Sequence, residues 1–185
     1  VSSAEIEFDT LSVNGVELYS TPVELENDND QIAGNWRLAP EAGALGVGGS
    51  QGDIGWWSNN DGDVQTRYCL FDDVYSFNGD DSFTTTQDGL TWLEGWQGAA
   101  EGCGTPVAPH DGSNAATYSY DATAGTLTLS GVGAHVGLAK VTGTNEIGNP
   151  ADAPESITYL VSNVTETSMT LDAFIGHGYW RFNLV

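Results

Sequence analysis

Apolar residues recur along this chain with a period of two, and almost nowhere with the period near 3.6 that an amphipathic helix requires. Tyr118 and Tyr120, Leu127 and Leu129, then Ile157, Tyr159 and Val161, then Met169 and Leu171, and finally Trp180, Phe182 and Leu184 each fall on one parity. Each set therefore reads as the inward face of a strand. Cys69, Phe71, Tyr75 and Phe77 read the same way. Between these sets lie NGDD (78–81), DATAG (121–125) and NVTETS (163–168), short polar links rich in turn formers that pair neighbouring strands as antiparallel hairpins. No strand–helix–strand spacing appears. The pattern predicts an all-β fold, an antiparallel meander that protects its edges by closing as a barrel or flattening into a β-sandwich.

The first thirty residues stand apart from this pattern. Ile6–Leu11 and Val16–Tyr19 read as two short strands joined at Asn14–Gly15, followed by the charged run ELENDND as a linker or solvated edge. Residues 31–185 then form a single antiparallel β domain. Within it, 39–66, 97–115 and 142–156 carry little alternation and read as long surface loops, which in compact domains are more often functional than idle.

Charge narrows the partners. The chain has 26 acidic and 4 basic residues, a net charge of −22, with only Arg37, Arg67, Lys140 and Arg181 to compensate. Such a surface repels nucleic acid and anionic lipid. No run of about 18 apolar residues is present, so no membrane span is expected, and the sequence from Val1 has no basic, apolar leader. Acidity could also mean disorder, but 39% hydrophobic and 10% aromatic residues supply a core to bury. One lysine and scattered carboxylates suit a protein of salty, marine water, where charges are screened over about 8 Å or less.

Cys69 and Cys103 lack metal-type spacing and read as one disulfide formed in an oxidising compartment, which makes the expected location extracellular. On the chain-entropy argument such a bond stabilises a domain by about 3–4 kcal/mol.

The stretches GNWRL (34–38) and CLFDDVYSFNGDDSF (69–83), a Trp-bearing strand after them, TLTLSG (126–131), and SMTLDAF followed by YWRFNLV carry a resemblance. They resemble the lipocalin-like β domains of secreted Bacteroidetes proteins, and are similar to domains found beside polysaccharide-degrading modules in marine members of that group. The resemblance covers about residues 31–185. It implies a lipocalin-like barrel or a flattened relative, without catalysis, within a larger multidomain secreted protein. The long stretch after the first strand and the extra N-terminal hairpin depart from the simple lipocalin pattern.

Candidate chemistry centres on tryptophan. In TWLEGWQ (91–97), an extended backbone places Trp92, Glu94 and Trp96 on one face, with Gln97 just beyond. Indole faces pack on the C–H face of a pyranose while carboxylates and amides read its hydroxyls. The competing reading buries both indoles and leaves Glu94 at an edge. Trp56 and Trp57, in DIGWWSNNDGD, fall in a loop, and one exposed and one packed ring is expected. Trp36 and Trp180 read as core. His110–Asp111, in PHDGSN, could orient a ligand hydroxyl. Asn59, Asp61 and Asp63 resemble the start of a calcium loop, without its sixth-position glycine or its closing Glu, and Ca2+ is the one ion with a candidate site. No other cofactor is indicated.

These readings converge on a non-catalytic extracellular carbohydrate-binding domain that recognises a neutral polysaccharide of the β-glucan or laminarin type. The alternative is a lipocalin-type carrier of a small apolar ligand. Less favoured is a glycoside hydrolase using Glu94, since 26 acidic residues place some carboxylate pair across a cleft by accident.

Overall fold

The computed structural model describes residues 27–185 and, before them, the backbone pairing of β1 (Ser12–Val13) with β2 (Val16–Glu17). That pairing spans the expected Asn14–Gly15 turn, while the expected strand Ile6–Leu11 lies outside the described residues. In chain order there follow β3 (Gly34–Trp36), β4 (Leu45–Gly48), β5 (Trp57–Ser58), α1 (Asp61–Thr66), α2 (Tyr68–Phe71), β6 (Val74–Phe77), β7 (Ser82–Thr86), β8 (Thr91–Leu93), β9 (Gly102–Gly104), β10 (Ala116–Asp121), β11 (Thr126–Ser130), β12 (Ser156–Ser162), β13 (Met169–Phe174) and β14 (Tyr179–Leu184).

Ten of these strands form one antiparallel sheet in the order β3-β6-β7-β10-β11-β12-β13-β14-β4-β5. The sheet curls back on itself. Past β3 the chain runs along the end of β14, where Arg37 N donates to Val185 O, Val185 N to Arg37 O and Ala39 N to Asn183 O, each at 2.9 Å. Leu38 thus bridges Leu184, and the strands from β3 round to β14 meet, leaving β4 to pair the remainder of β14. The meander is all-β and barrel-like, and the three expected hairpin links join β6–β7, β10–β11 and β12–β13.

The alternating residues fill the inside. Tyr75, Phe77, Leu127, Leu129, Tyr159, Leu171, Phe182 and Leu184 are all buried, as are Trp36 and Trp180. The segment after β11 enters the same interior. Val136 N and Gly137 N donate to the Tyr159 and Tyr75 hydroxyls, each at 3.0 Å, so two buried phenols hold a loop that plugs the barrel. Buried backbone donors need such partners, and the tyrosines supply them.

Several sequence expectations change. Residues 69–71 are helical in α2, and Cys69 and Phe71 are buried not by alternation but because this one-turn helix is covered all round, Leu70 between them being buried as well. Residues 39–66 are not a bare loop. They hold the β4–β5 hairpin and α1, and the glycines let the hairpin lie flat: a Cβ at Gly46 would press into Ile54 and one at Gly48 into the Asp53 backbone. The acidic run does not stand free at its end, since Asn29 Oδ1 accepts from Tyr120 N at 2.6 Å and Asp28 Oδ2 from Ala122 N at 2.8 Å.

Cys69 and Cys103 are joined, tying α2 to β9, which pairs with β8 over the barrel. No helix among the described residues is long and apolar enough to cross a membrane.

Candidate functional site

A small recess opens where β8 and the turn after it meet the plugging loop. It is lined by Gln87, Thr91, Trp92, Trp96, His110 and His135, together with Glu94, Gln97 and the plugging loop from Gly137. Trp92, Glu94, Trp96 and Gln97 come together here, though not by strand alternation, and His110, from a separate loop, joins them. β8 ends at Leu93, and Gly95–Gln97 is a 3-10 turn that swings Trp96 round. The Gln97 side chain holds this turn by accepting from Glu94 N at 2.9 Å, so Gln97 serves the backbone.

The Glu94 carboxylate is engaged on both oxygens. Trp96 Nε1 donates to Oε2 at 2.9 Å, and Lys140, the only lysine in the chain, reaches Oε1 at 3.3 Å. Lys140 also lies 3.6 Å from Glu146 and 5.2 Å from the centre of the Trp180 ring, while Trp180 Nε1 donates to Glu146 at 2.6 Å. The two acids flank one ammonium, and each takes an indole N–H. This arrangement positions the rings and spends both oxygens of the Glu94 carboxylate on an indole N–H and an ammonium.

Among the described residues, four buried side-chain atoms lack a hydrogen-bond partner: Asp73 Oδ1, Gln87 Oε1, Trp92 Nε1 and His110 Nδ1. Three of these residues line the recess, and Asp73 accepts from the fourth wall, Thr91 Oγ1, at 2.7 Å. Leaving a buried polar atom unpaired costs about 1–3 kcal/mol, and most of this cost among the described residues is concentrated at one recess.

Burial also shifts protonation here. It raises Asp73 to about 8, against the opposing bond from Thr91 and with help from the charges of Asp72 and Asp88. Burial, and then the neighbouring His135, holds His110 down at about 4. The His110 ring meets Trp96 and His135 edge-on, at 5.8 and 5.5 Å between centres. His135 is likewise lowered by burial, and its Nδ1 lies 2.8 Å from Gly133 O, so that nitrogen is the donor.

Because the folded value of His110 lies below the ordinary 6.5, the unfolded chain takes its proton first as pH falls. The stability it contributes is present above about 6.5 and is lost toward pH 4. Across that window the parent is expected to lose about 1.4 kcal/mol per pH unit more than a His110→Leu variant. Urea unfolding at stepped pH measures this difference, in which Asp73 cancels because both proteins carry it.

The remaining candidates fall elsewhere. Asp111 is tied locally, its Oδ1 accepting from Ser113 N and Oγ, and those bonds hold its carboxyl low. Trp56 and Trp57 point opposite ways from β5. Trp56 is 53% exposed and stacks on His177 at 5.7 Å, beside Gly49 and Gly178, whereas Trp57 packs edge-on against Trp180. The calcium-like spacing has a structural account. Asn59 is buried with its amide spent on Leu45 N and Glu41 O, and Asp63 forms the capping box of α1 with Asn60, leaving Asp61 in the helix's first turn. No group of three potential metal ligands occurs among the described residues.

Sequence reasoning missed Gln87, Thr91, His135, Lys140 and Arg67, which packs over Trp92. The scarcity of cations was the available signal, since two of four bases gather here.

The barrel interior holds side chains, and the recess encloses only about 10 Å3, room for one water-sized group. A carrier of apolar molecules needs a cavity of several hundred Å3. In comparisons with known proteins, no family model matches the chain, and no curated protein is significantly similar to it.

Proposed function

We propose that this chain is a non-catalytic, extracellular carbohydrate-binding domain whose site is the recess between Trp92 and Trp96. The observation that carries this reading is the set of unpaired buried atoms on Gln87, Trp92 and His110 beside two partly exposed indoles. One acceptor, one donor and an imidazole nitrogen suit a sugar hydroxyl, and the enclosed volume suits one such group rather than a whole ring. The ring itself would lie outside, against Trp96. Trp56 offers a second platform on the outer face, where its half-exposed indole is held by His177 and two glycines.

The disulfide supports an extracellular setting. The charge of −22 favours a chain of low charge density, a neutral β-glucan being the simplest, over densely sulfated or uronate polymers. Affinities in the micromolar to millimolar range are expected, since stacking yields only a few kcal/mol after ordering and desolvation.

Affinity electrophoresis in gels containing laminarin, mixed-linkage glucan, xylan or polygalacturonate tests the reading. The parent is expected to be retarded by a neutral polymer, and Trp96→Ala to weaken that retardation about tenfold, with Trp56→Ala reporting on the outer platform. Unretarded migration of the parent through every gel would remove the proposal.

A further inference from the structure

Arg67 is placed unlike the other cations of this protein. Its guanidinium carbon lies 4.6 Å from the centre of the Trp92 ring and 5.3 Å from that of Trp57. Lys140 is bridged by Glu94 and Glu146, and Arg181 by Asp172, yet among the described residues no carboxylate lies within 4 Å of Arg67. Nor does its guanidinium donate a hydrogen bond to any described residue. Among the described residues Arg37 also has no carboxylate within 4 Å, but it is an exposed side chain just past β3. Arg67 is partly buried and carries two aromatic neighbours.

The chain has 26 acidic residues, yet none of the described ones pairs with this guanidinium. Stacking on aromatic faces orients the plane of an arginine and leaves its N–H edge, a fork matched to the two oxygens of a carboxylate. The Trp92 ring that Arg67 covers also lines the recess, and its Nε1 is one of the unpaired buried donors there.

We infer that Arg67, held over Trp92 and Trp57, is a reading point for a single carboxylate carried on an otherwise neutral saccharide seated at the recess. This rests on the carbohydrate-binding reading. Two electrostatic ranges set the preference together. The field of the whole molecule repels a dense polyanion, while one fixed guanidinium accepts one acid at short range. A sparsely acidic polysaccharide satisfies both, and a fully neutral one leaves the fork unused.

The test compares glucuronoxylan with the same polymer after reduction of its carboxyl groups, by titration calorimetry on the parent, Arg67→Gln and Arg67→Lys. The parent is expected to bind the acidic polymer about tenfold more tightly than the reduced one. R67Q is expected to abolish the preference, binding the two polymers equally. Near-ultraviolet circular dichroism of the tryptophans checks that the variant is folded. If R67Q does not fold, R67K serves, since it keeps the charge but loses the planar fork, and its preference should fall severalfold. Equal binding of both polymers by the parent, or an undiminished preference in the folded variants, overturns the inference and leaves the carbohydrate reading intact. Binding of neither polymer overturns it too, with the neutral-polymer gels deciding the broader reading separately.

Discussion

Replacing Arg181 with methionine is expected to cost about 3–5 kcal/mol of folding stability, far more than the loss of an exposed ion pair. Asp172 on β13 is paired in register with Arg181 on β14, and its side chain is fully buried. The guanidinium meets it as a fork, Nε donating to Oδ1 and Nη2 to Oδ2, both at 2.8 Å. Both the carboxylate hydrogen bonds and the adjacent charge hold Arg181 in its protonated form, above the usual arginine range. Removing the arginine strands a fully buried carboxylate without its ion-pair partner, and no other cation of the described residues lies within 4 Å of it. Removing both partners does not, so Arg181→Met combined with Asp172→Leu should recover most of the loss. Urea denaturation of the two single variants and the double variant gives the coupling. A cost for Arg181→Met below about 1 kcal/mol would mean that the pair behaves like a surface one.

Gly137→Ala is expected to lose about 2–5 kcal/mol, the cost of a left-handed residue that gains a Cβ together with an overpacked core. Gly137 has φ of 75°, and a Cβ there would collide with the Phe182 ring, which is fully buried. The loop cannot simply lift away, because its N–H is held by the Tyr75 hydroxyl at 3.0 Å. Gly148→Ala is the matching control, since a Cβ at that position meets nothing within 4 Å. It should change the thermal midpoint little. Gly137 also lines the recess, so Gly137→Ala should weaken retardation by a polysaccharide beyond what its stability loss explains. A Gly137→Ala protein as stable as the parent would show that the plugging loop is not packed as described.

Much of the barrel was legible because strand alternation and turn chemistry are local properties. Tyr118 and Tyr120, Leu127 and Leu129, and Trp180, Phe182 and Leu184 alternate, and all are buried. Where short helices interrupt, the period misled: Cys69 and Phe71 belong to α2, and Glu94 to a turn held by Gln97. The candidate residues Trp92, Trp96 and His110 were identified by residue type and converge, but for a different geometric reason than even spacing. The Asn59–Asp63 spacing was a helix start, a role that sequence shares with calcium loops because both need side-chain oxygens close to backbone N–H groups.

The sequence by itself therefore determined an all-β meander, its hairpin links, its inward faces, the pairing of its two cysteines and a net charge of −22. Each follows from local periodicity, from turn residues or from a count. Only the tertiary structure decided that the barrel is filled, that Gln87, Trp92 and His110 share one recess, and that Arg67 lies over two indoles with no carboxylate of the described residues beside it. Those relations join residues tens of positions apart, brought together when β14 returns to residues 37–48 and the loop after β11 enters the interior. No local pattern encodes them, because the contacts arise from closure of the sheet rather than from the conformation of any one segment.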